Sequence, residues 1–169
     1  FPDMNICIIG PDEPQNRKSH KGVFASHYDQ GRITRIIDPS PIWGTLARNS
    51  IAQYAQIEKA SGIQFHHKVG CLRATDNADS VTTIESVVGQ FQPPHTRLNA
   101  DACKQQYPFL QFSDDFTAWD ETGDAGYINP RQLVEAQLKV AEDNGATIIR
   151  EIVGSITQHN NHVEIQTHN

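Results

Sequence analysis

The feature that most constrains the fold is the ordered run of signals over the last third of the chain. Asn129 followed by Pro130 reads as a helix start: a capping side chain stands ahead of a residue whose fixed φ suits the first helical position. Leu133, Val134, Leu138 and Ala141 then recur at helical spacing up to a stop at Gly145. A β-branched strand, Thr147 to Val153, follows at once. Ser155 to His159 and His162 to Thr167 flank Asn160-Asn161 as the arms of a hairpin. Helix, tight Asn-Gly turn and buried strand make a crossover unit, and a hairpin beside it predicts a mixed α/β architecture.

The opposite end is consistent with this. Asn5-Ile6-Cys7-Ile8-Ile9, closed by Gly10-Pro11, reads as a strand buried on both faces, as in a parallel sheet, with Cys7 a small core residue. Residues 10 to 32 form a long loop, a length that usually signals function or disorder. A helix is expected from Pro41 to Ser61, capped by Ser40 and stopped by Gly62, with Trp43, Leu46, Ala47, Ser50, Tyr54 and Ile57 on one face. Phe65 to Ala74 reads as a strand, Val81 to Gln90 and Asn99 to Tyr107 as short helices around the Pro93-Pro94 break, and Phe116 to Glu121 as a strand before a Gly-Asp-Ala-Gly turn.

Bulk properties exclude some functions. The chain has 169 residues and a formal charge of −6, which argues against a general nucleic-acid binder. No apolar run approaches the roughly 18 residues of a membrane span, and Phe1-Pro2-Asp3 opens no basic-then-apolar leader. The missing initial methionine suggests a start inside a longer reading frame or after processing. Cys7, Cys71 and Cys103 form neither a disulfide framework nor a CxxC pair, so a reducing, cytoplasmic setting is expected. Against the acidic balance, Arg17, Lys18, Lys21, Arg32 and Arg35 cluster with only Asp29 opposing them. Such a stretch suits an anionic ligand such as a phosphate or carboxylate, or else a solvated loop.

The dinucleotide fingerprint G-x-G-x-x-G needs two glycines one residue apart. The eleven glycines never fall closer than Gly123 and Gly126, so a nucleotide site here lacks its phosphate-binding turn. The order of other elements is informative: Asn5 to Ile9, then Pro11-Asp12-Glu13-Pro14, Ser19-His20-Lys21-Gly22, Thr34-Arg35-Ile36-Ile37 and the helix from Pro41, with Gly126-Tyr127-Ile128-Asn129-Pro130 further on. This ordered set resembles the D-amino-acid oxidase superfamily of FAD-dependent oxidoreductases, especially its sarcosine oxidase-like branch, just past the fingerprint.

The resemblance implies a partial FAD/NAD(P)-binding (Rossmann-like) domain with part of a mixed-sheet α+β substrate domain. Residues 1–62 would belong to the FAD-binding domain, 63–125 to the substrate domain and 126–169 to the FAD-binding domain again. FAD is the implied cofactor, a small amine or amino acid the implied substrate, and the remainder of the same polypeptide the implied partner, with no nucleic acid and no membrane. Ser19, His20 and Gly22 would lie near the flavin and its phosphates. Thr34 and Arg35 would face the ring, with Arg35 and His20 on the catalytic side and a fixed cation opposing charge that develops on reduction. Val153 would contact adenine through its backbone. Two departures stand. The second strand ends in Ile9-Gly10 where the family places an acid on the ribose, which leaves Asp12 or Glu13 for that contact. Ser26-His27 is a second Ser-His pair, so the flavin-side histidine is His20 or His27. Arg35 could instead be a structural ion-pair partner.

Other constellations rank lower. His66 and His67 are adjacent and would point to opposite faces of a strand, and His159 and His162 are two ligands alone. Asp114, Asp115, Asp120, Glu121 and Asp124 lack calcium-loop spacing. Trp119 and Tyr127 read as core or pocket wall. The full protein would transfer a hydride from the carbon beside an amine to FAD, with the oxygen-activating lysine supplied from a C-terminal half beyond Asn169. Two readings compete: a fragment of an oxidoreductase, inactive alone, and a non-catalytic interaction module of the same fold that does not bind FAD alone.

Overall fold

The structure is a computed structural model that describes residues 4–14, 16, 18–21 and 28–168. In chain order the elements are β1 (Cys7–Ile9), β2 (Arg32–Thr34), α1 (Pro41–Ser61), β3 (His66–His67), β4 (Cys71–Thr75), α2 (Ala78–Phe91), β5 (His95–Asn99), α3 (Ala100–Gln106), β6 (Thr117–Glu121), β7 (Gly126–Ile128), α4 (Pro130–Asp143), β8 (Thr147–Ile149), β9 (Ile152–Gln158) and β10 (Val163–His168).

Strand β1 runs parallel to β8 with Cys7 opposite Thr147, in keeping with the parallel sheet expected for the first strand. Cys7 is exposed, contrary to expectation. Among the described residues, β8 is the only strand beside β1, and Cys7 sits at the exposed start of β1. The second sheet orders β2-β7-β3 and the third β4-β6-β5, both antiparallel. Strands β9 and β10 form the expected hairpin, closed by the His159 amide donating to the His162 carbonyl at 2.9 Å.

Two predicted strands are each broken in two. Phe65 to Ala74 splits into β3 and β4, because Gly70 adopts φ 80° and donates to the Ala125 carbonyl at 2.9 Å. The run from Thr147 to Val153 splits at Arg150-Glu151, which sends β8 into the parallel pair and β9 into the hairpin.

Helix starts follow local chemistry, with one exception. Asn77, Asn99 and Asn129 each cap a helix by accepting backbone N–H bonds. Ser40 occupies the cap position of α1 with extended backbone but makes no side-chain cap bond, so Pro41 and the Ser40 carbonyl start this helix. Gly62 ends it in the left-handed region, φ 73°. Beyond that stop, Glu58 Oε1 accepts the backbone N–H groups of Phe65 and His66, each at 2.8 Å, and fixes the start of β3.

Three apolar clusters hold the layers together. Ile51, Tyr54, Phe65 and Ala136 join α1 to α4 and β3, with Tyr54 edge-on to Phe65 at 5.4 Å. Central strand β6 is buried on both faces. Trp119 packs with Ile37 and Ile84 of α2 on one side, and Ala118 packs with Leu98 and Cys103 on the other. Trp119 is therefore core, not pocket wall.

The closest backbone approach lies at Gly126, where a methyl group would overlap the His67 carbonyl oxygen and meet Val69 N at 2.8 Å. Gly126→Ala should lower stability by about 2 to 4 kcal/mol. Gly89→Ala, in a helix and with open space around the added carbon, should instead raise it by about 0.5 to 1 kcal/mol. Urea midpoints that move alike for the two variants would contradict this packing.

Candidate functional site

Where β2 ends at Thr34, the chain stops pairing with β7 and turns toward α1. The next two backbone donors, Ile36 N–H and Ile37 N–H, find their acceptors in another sheet. Glu121 at the end of β6 accepts both, with Ile36 on Oε1 and Ile37 on Oε2, each at 2.8 Å. Glu121 is only 2% exposed. Burial pushes its carboxyl above the ordinary glutamate value, against the opposing pull of the two N–H donors, Arg35 and His95. Cys71, half-buried beside Arg35 and Glu121, is pushed upward as well, chiefly by burial.

The neighbouring residues point elsewhere. Ile36 packs against the α1–α4 cluster and Ile37, fully buried, against Trp119 and Ile84. Arg35 lies between these anchors and the cleft. Its Nε donates to the Ile37 carbonyl at 3.0 Å and its Nη2 to Asp38 Oδ2 at 2.8 Å. Asp38 Oδ1 in turn accepts the Ser40 N–H at 3.0 Å, which ties the guanidinium to the start of α1. The ion-pair alternative for Arg35 is thus realised with Asp38, while Nη1 makes no hydrogen bond among the described residues.

Together these elements wall a cleft of about 260 Å³ lined by Ile33, Thr34, Arg35, Asp38, Trp43, Leu46, Ala47, Ser50, Tyr54 and Ile128. The predicted face of α1 is here, but its two ends differ. Tyr54 is buried in the core, whereas Trp43 and Leu46 are exposed toward the cleft.

Thr34 and Arg35 are the sequence-predicted site residues that line this cleft; Ser19, His20, Asp12, Glu13 and Val153 do not. Ser19 donates to the Asn16 carbonyl and His20 lies edge-on to Tyr28. Asp12 pairs with Arg150 at 2.6 Å and Glu13 with Arg131, which fastens the loop after β1 to α4 and the segment after β8. Val153 sits in the hairpin opposite Thr167. Gly22 and His27 lie outside the described residues, as does Arg17 of the cationic stretch. Arg32 pairs with Asp29 at 3.0 Å. His66 is buried with Nε2 on the Asp124 carbonyl, and His67 stacks on Tyr127. His159 and His162 stack on each other at 4.5 Å, and no cluster of three metal-ligating side chains occurs among the described residues. None of the described helices is long and apolar enough to cross a membrane.

The model of the family described as DAO, FAD dependent oxidoreductase, matches residues 6–169. The chain belongs to this family. Its fold is that of the FAD-dependent oxidases, and FAD is the cofactor the family depends on. NikD, an amino acid oxidase essential for nikkomycin biosynthesis, superposes with a TM-score of 0.68 at 15% identity, over 96% of this chain and 41% of that one. Iminodiacetate oxidase from Chelativorans sp. BNC1 gives 0.64 at 21% identity, over 98% and 45%. Glycine oxidase from Bacillus cereus ATCC 14579 gives 0.57 at 25% identity, over 85% and 41%. The chain thus spans less than half the length of these solved proteins. Among curated proteins no sequence match was found.

The cleft fits the ring end of such a cofactor. It offers apolar and aromatic flanks for a flat ring, and a fixed guanidinium with a donor to spare for a polar ring edge. The pyrophosphate end has no glycine-rich turn in this sequence.

Sequence reasoning missed Glu121, which stood among five acids near a turn. The available signal was its place at the end of an apolar strand, two residues after Trp119 and therefore on the same buried face. Because the folded carboxyl sits above its ordinary value of 4.5, the native chain holds that proton more tightly than the unfolded chain. Stability relative to Glu121→Gln should be greatest below that value and fall as pH rises through the folded one. A difference in urea midpoint that stays flat from about pH 4 to about pH 7 would refute the shift.

Proposed function

We propose that this chain supplies the ring-facing wall of a flavoenzyme that oxidises the C–N bond of an amine or amino acid, in the manner of the sarcosine oxidase-like branch. One observation carries the reading: Thr34 and Arg35 share a cleft, and Asp38 and the Ile37 carbonyl hold the guanidinium at its edge. Bound FAD would supply the two-electron acceptor for the hydride that leaves the carbon beside the amine.

The chain's own residues do the rest of what is assigned here. Arg35 holds its guanidinium charge on a planar fork, so it opposes negative charge that builds on the reduced ring. Trp43 and Leu46 present apolar surface to the same cleft. Asp12 or Glu13, each held by an arginine, is assigned to the ribose contact in place of the acid with which the family ends this strand. Ser19, His20, Gly22 and His27 are assigned to the flavin-side loop, and Val153 to the adenine side. Residues 1–62 and 126–169 would make up the FAD-binding domain around a substrate-domain segment at 63–125. The pyrophosphate grip, and the remainder of the substrate site, would come from the rest of the same polypeptide.

Residues 1–169 incubated alone with FAD should retain none after gel filtration, and a polypeptide extended on both sides should come out yellow. Stoichiometric, tight uptake by the short chain would overturn the division of labour. In the extended protein, Arg35→Ala should slow anaerobic flavin reduction by about 100-fold while lowering stability by only about 1 kcal/mol. A reduction rate equal to wild type would remove Arg35 from the site.

A further inference from the structure

The cleft depends on a carboxylate that does not line it. Glu121 reaches across from the end of β6 and takes the N–H groups of Ile36 and Ile37, so each of its two oxygens holds one of two consecutive backbone donors at 2.8 Å. That pair of bonds fixes the peptide planes that follow Arg35. The Ile37 carbonyl is the acceptor for Arg35 Nε. Orientation therefore passes from Glu121 through the Ile37 residue to the guanidinium without any contact between the two side chains being required.

The alternatives for Glu121 are weaker. As a plain ion-pair partner it would need a guanidinium or ammonium group within bonding distance, and its hydrogen bonds go to backbone amides instead. As a packing residue it would be a poor choice, since a buried carboxylate is far more costly to desolvate than a Gln or Leu of similar volume. A carboxylate is favoured where two adjacent N–H donors must be met by acceptors only. Gln offers one acceptor and turns an NH₂ group toward the other donor.

From this geometry we propose that Glu121 is the positioning residue for Arg35: by gripping the Ile36-Ile37 amides it holds the guanidinium in the orientation that faces the flavin ring. The inference rests on the flavin-facing role of Arg35 given above. Misplacing a group by about 1 Å can lower a rate by about 100-fold. In the extended protein with FAD bound, Glu121→Gln should therefore slow flavin reduction by about 10- to 100-fold and leave bound FAD and the substrate concentration for half-saturation within about twofold.

The deciding experiment is a double-variant cycle read by anaerobic stopped-flow reduction of the bound flavin. If Glu121 acts through Arg35, adding Glu121→Gln to Arg35→Ala should slow reduction by less than about twofold beyond Arg35→Ala alone. Additive losses would mean that Glu121 serves the fold generally, and would overturn the proposal. A wild-type rate in Glu121→Gln, with Arg35→Ala still slow, would overturn it and leave the role of Arg35 standing. A wild-type rate in Arg35→Ala would overturn both. Should Glu121→Gln fail to fold, Glu121→Asp provides the same cycle: it keeps both acceptors, draws them back by one methylene, and should give an intermediate loss that also disappears in the Arg35→Ala background.

Discussion

Two hydrogen bonds from Ile36 and Ile37 to one buried carboxylate are the constraint on which the rest of this arrangement depends. Strand β2 stops at Thr34, so the amides that follow have no ladder partner, and the side chains of the same two residues are drawn into apolar surroundings where water cannot serve. Each donor left unmet would cost about 1 to 3 kcal/mol. Glu121 answers both with one side chain, at the expense of its own desolvation, which appears in the upward displacement of its proton affinity. The compromise is tolerable because the charge is met by two N–H dipoles, with Arg35 close enough to add to them.

This clamp explains how a four-residue element can do several jobs. Successive residues in Thr34-Arg35-Ile36-Ile37 diverge. Ile36 inserts into the cluster built by α1 and α4, and Ile37 into the one built by Trp119 and α2. With both isoleucines seated in different cores, Arg35 has little freedom left, and its guanidinium is held by the backbone it has just passed and by Asp38. Asp38 carries the constraint onward to Ser40, immediately before α1, whose exposed Trp43 and Leu46 complete the wall of the cleft. Site and core are one construction here.

Local chemistry was legible in the sequence, and long-range chemistry was not. The Asn129-Pro130 helix, the strand that follows it and the hairpin follow from caps, periodicity and turn residues that act within a few positions. The face of α1 was legible too, although its first turns look into the cleft and not into the core. Breaks within predicted strands were missed because they depend on partners far along the chain: Gly70 bends to meet Ala125, and β9 leaves β8 to pair with β10. Cys7 looked like core because an apolar run says nothing about whether a second layer covers it. Glu121 was the largest omission, since its partners lie 84 and 85 residues away and its own neighbours suggested only an acidic turn.

Burial differs sharply between parts of the molecule, and the difference bears on where a site can be preorganised. In the β4-β6-β5 sheet the central strand is covered on both faces, with Ala118 and Trp119 fully buried. The β9–β10 hairpin leaves Ile152, Ile156, Val163 and Ile165 exposed, and β1 with β8 forms only a parallel pair among the described residues. A group that must hold a charge in one orientation is best fastened to elements whose own side chains are locked by packing. Arg35 meets that condition: its supports are Ile37, Asp38 and, through Ile37, a carboxylate on the central strand of the best-covered sheet. The wall of the cleft therefore draws its rigidity from β6 and α1, not from the exposed hairpin. Its shape does not depend on how the hairpin is covered.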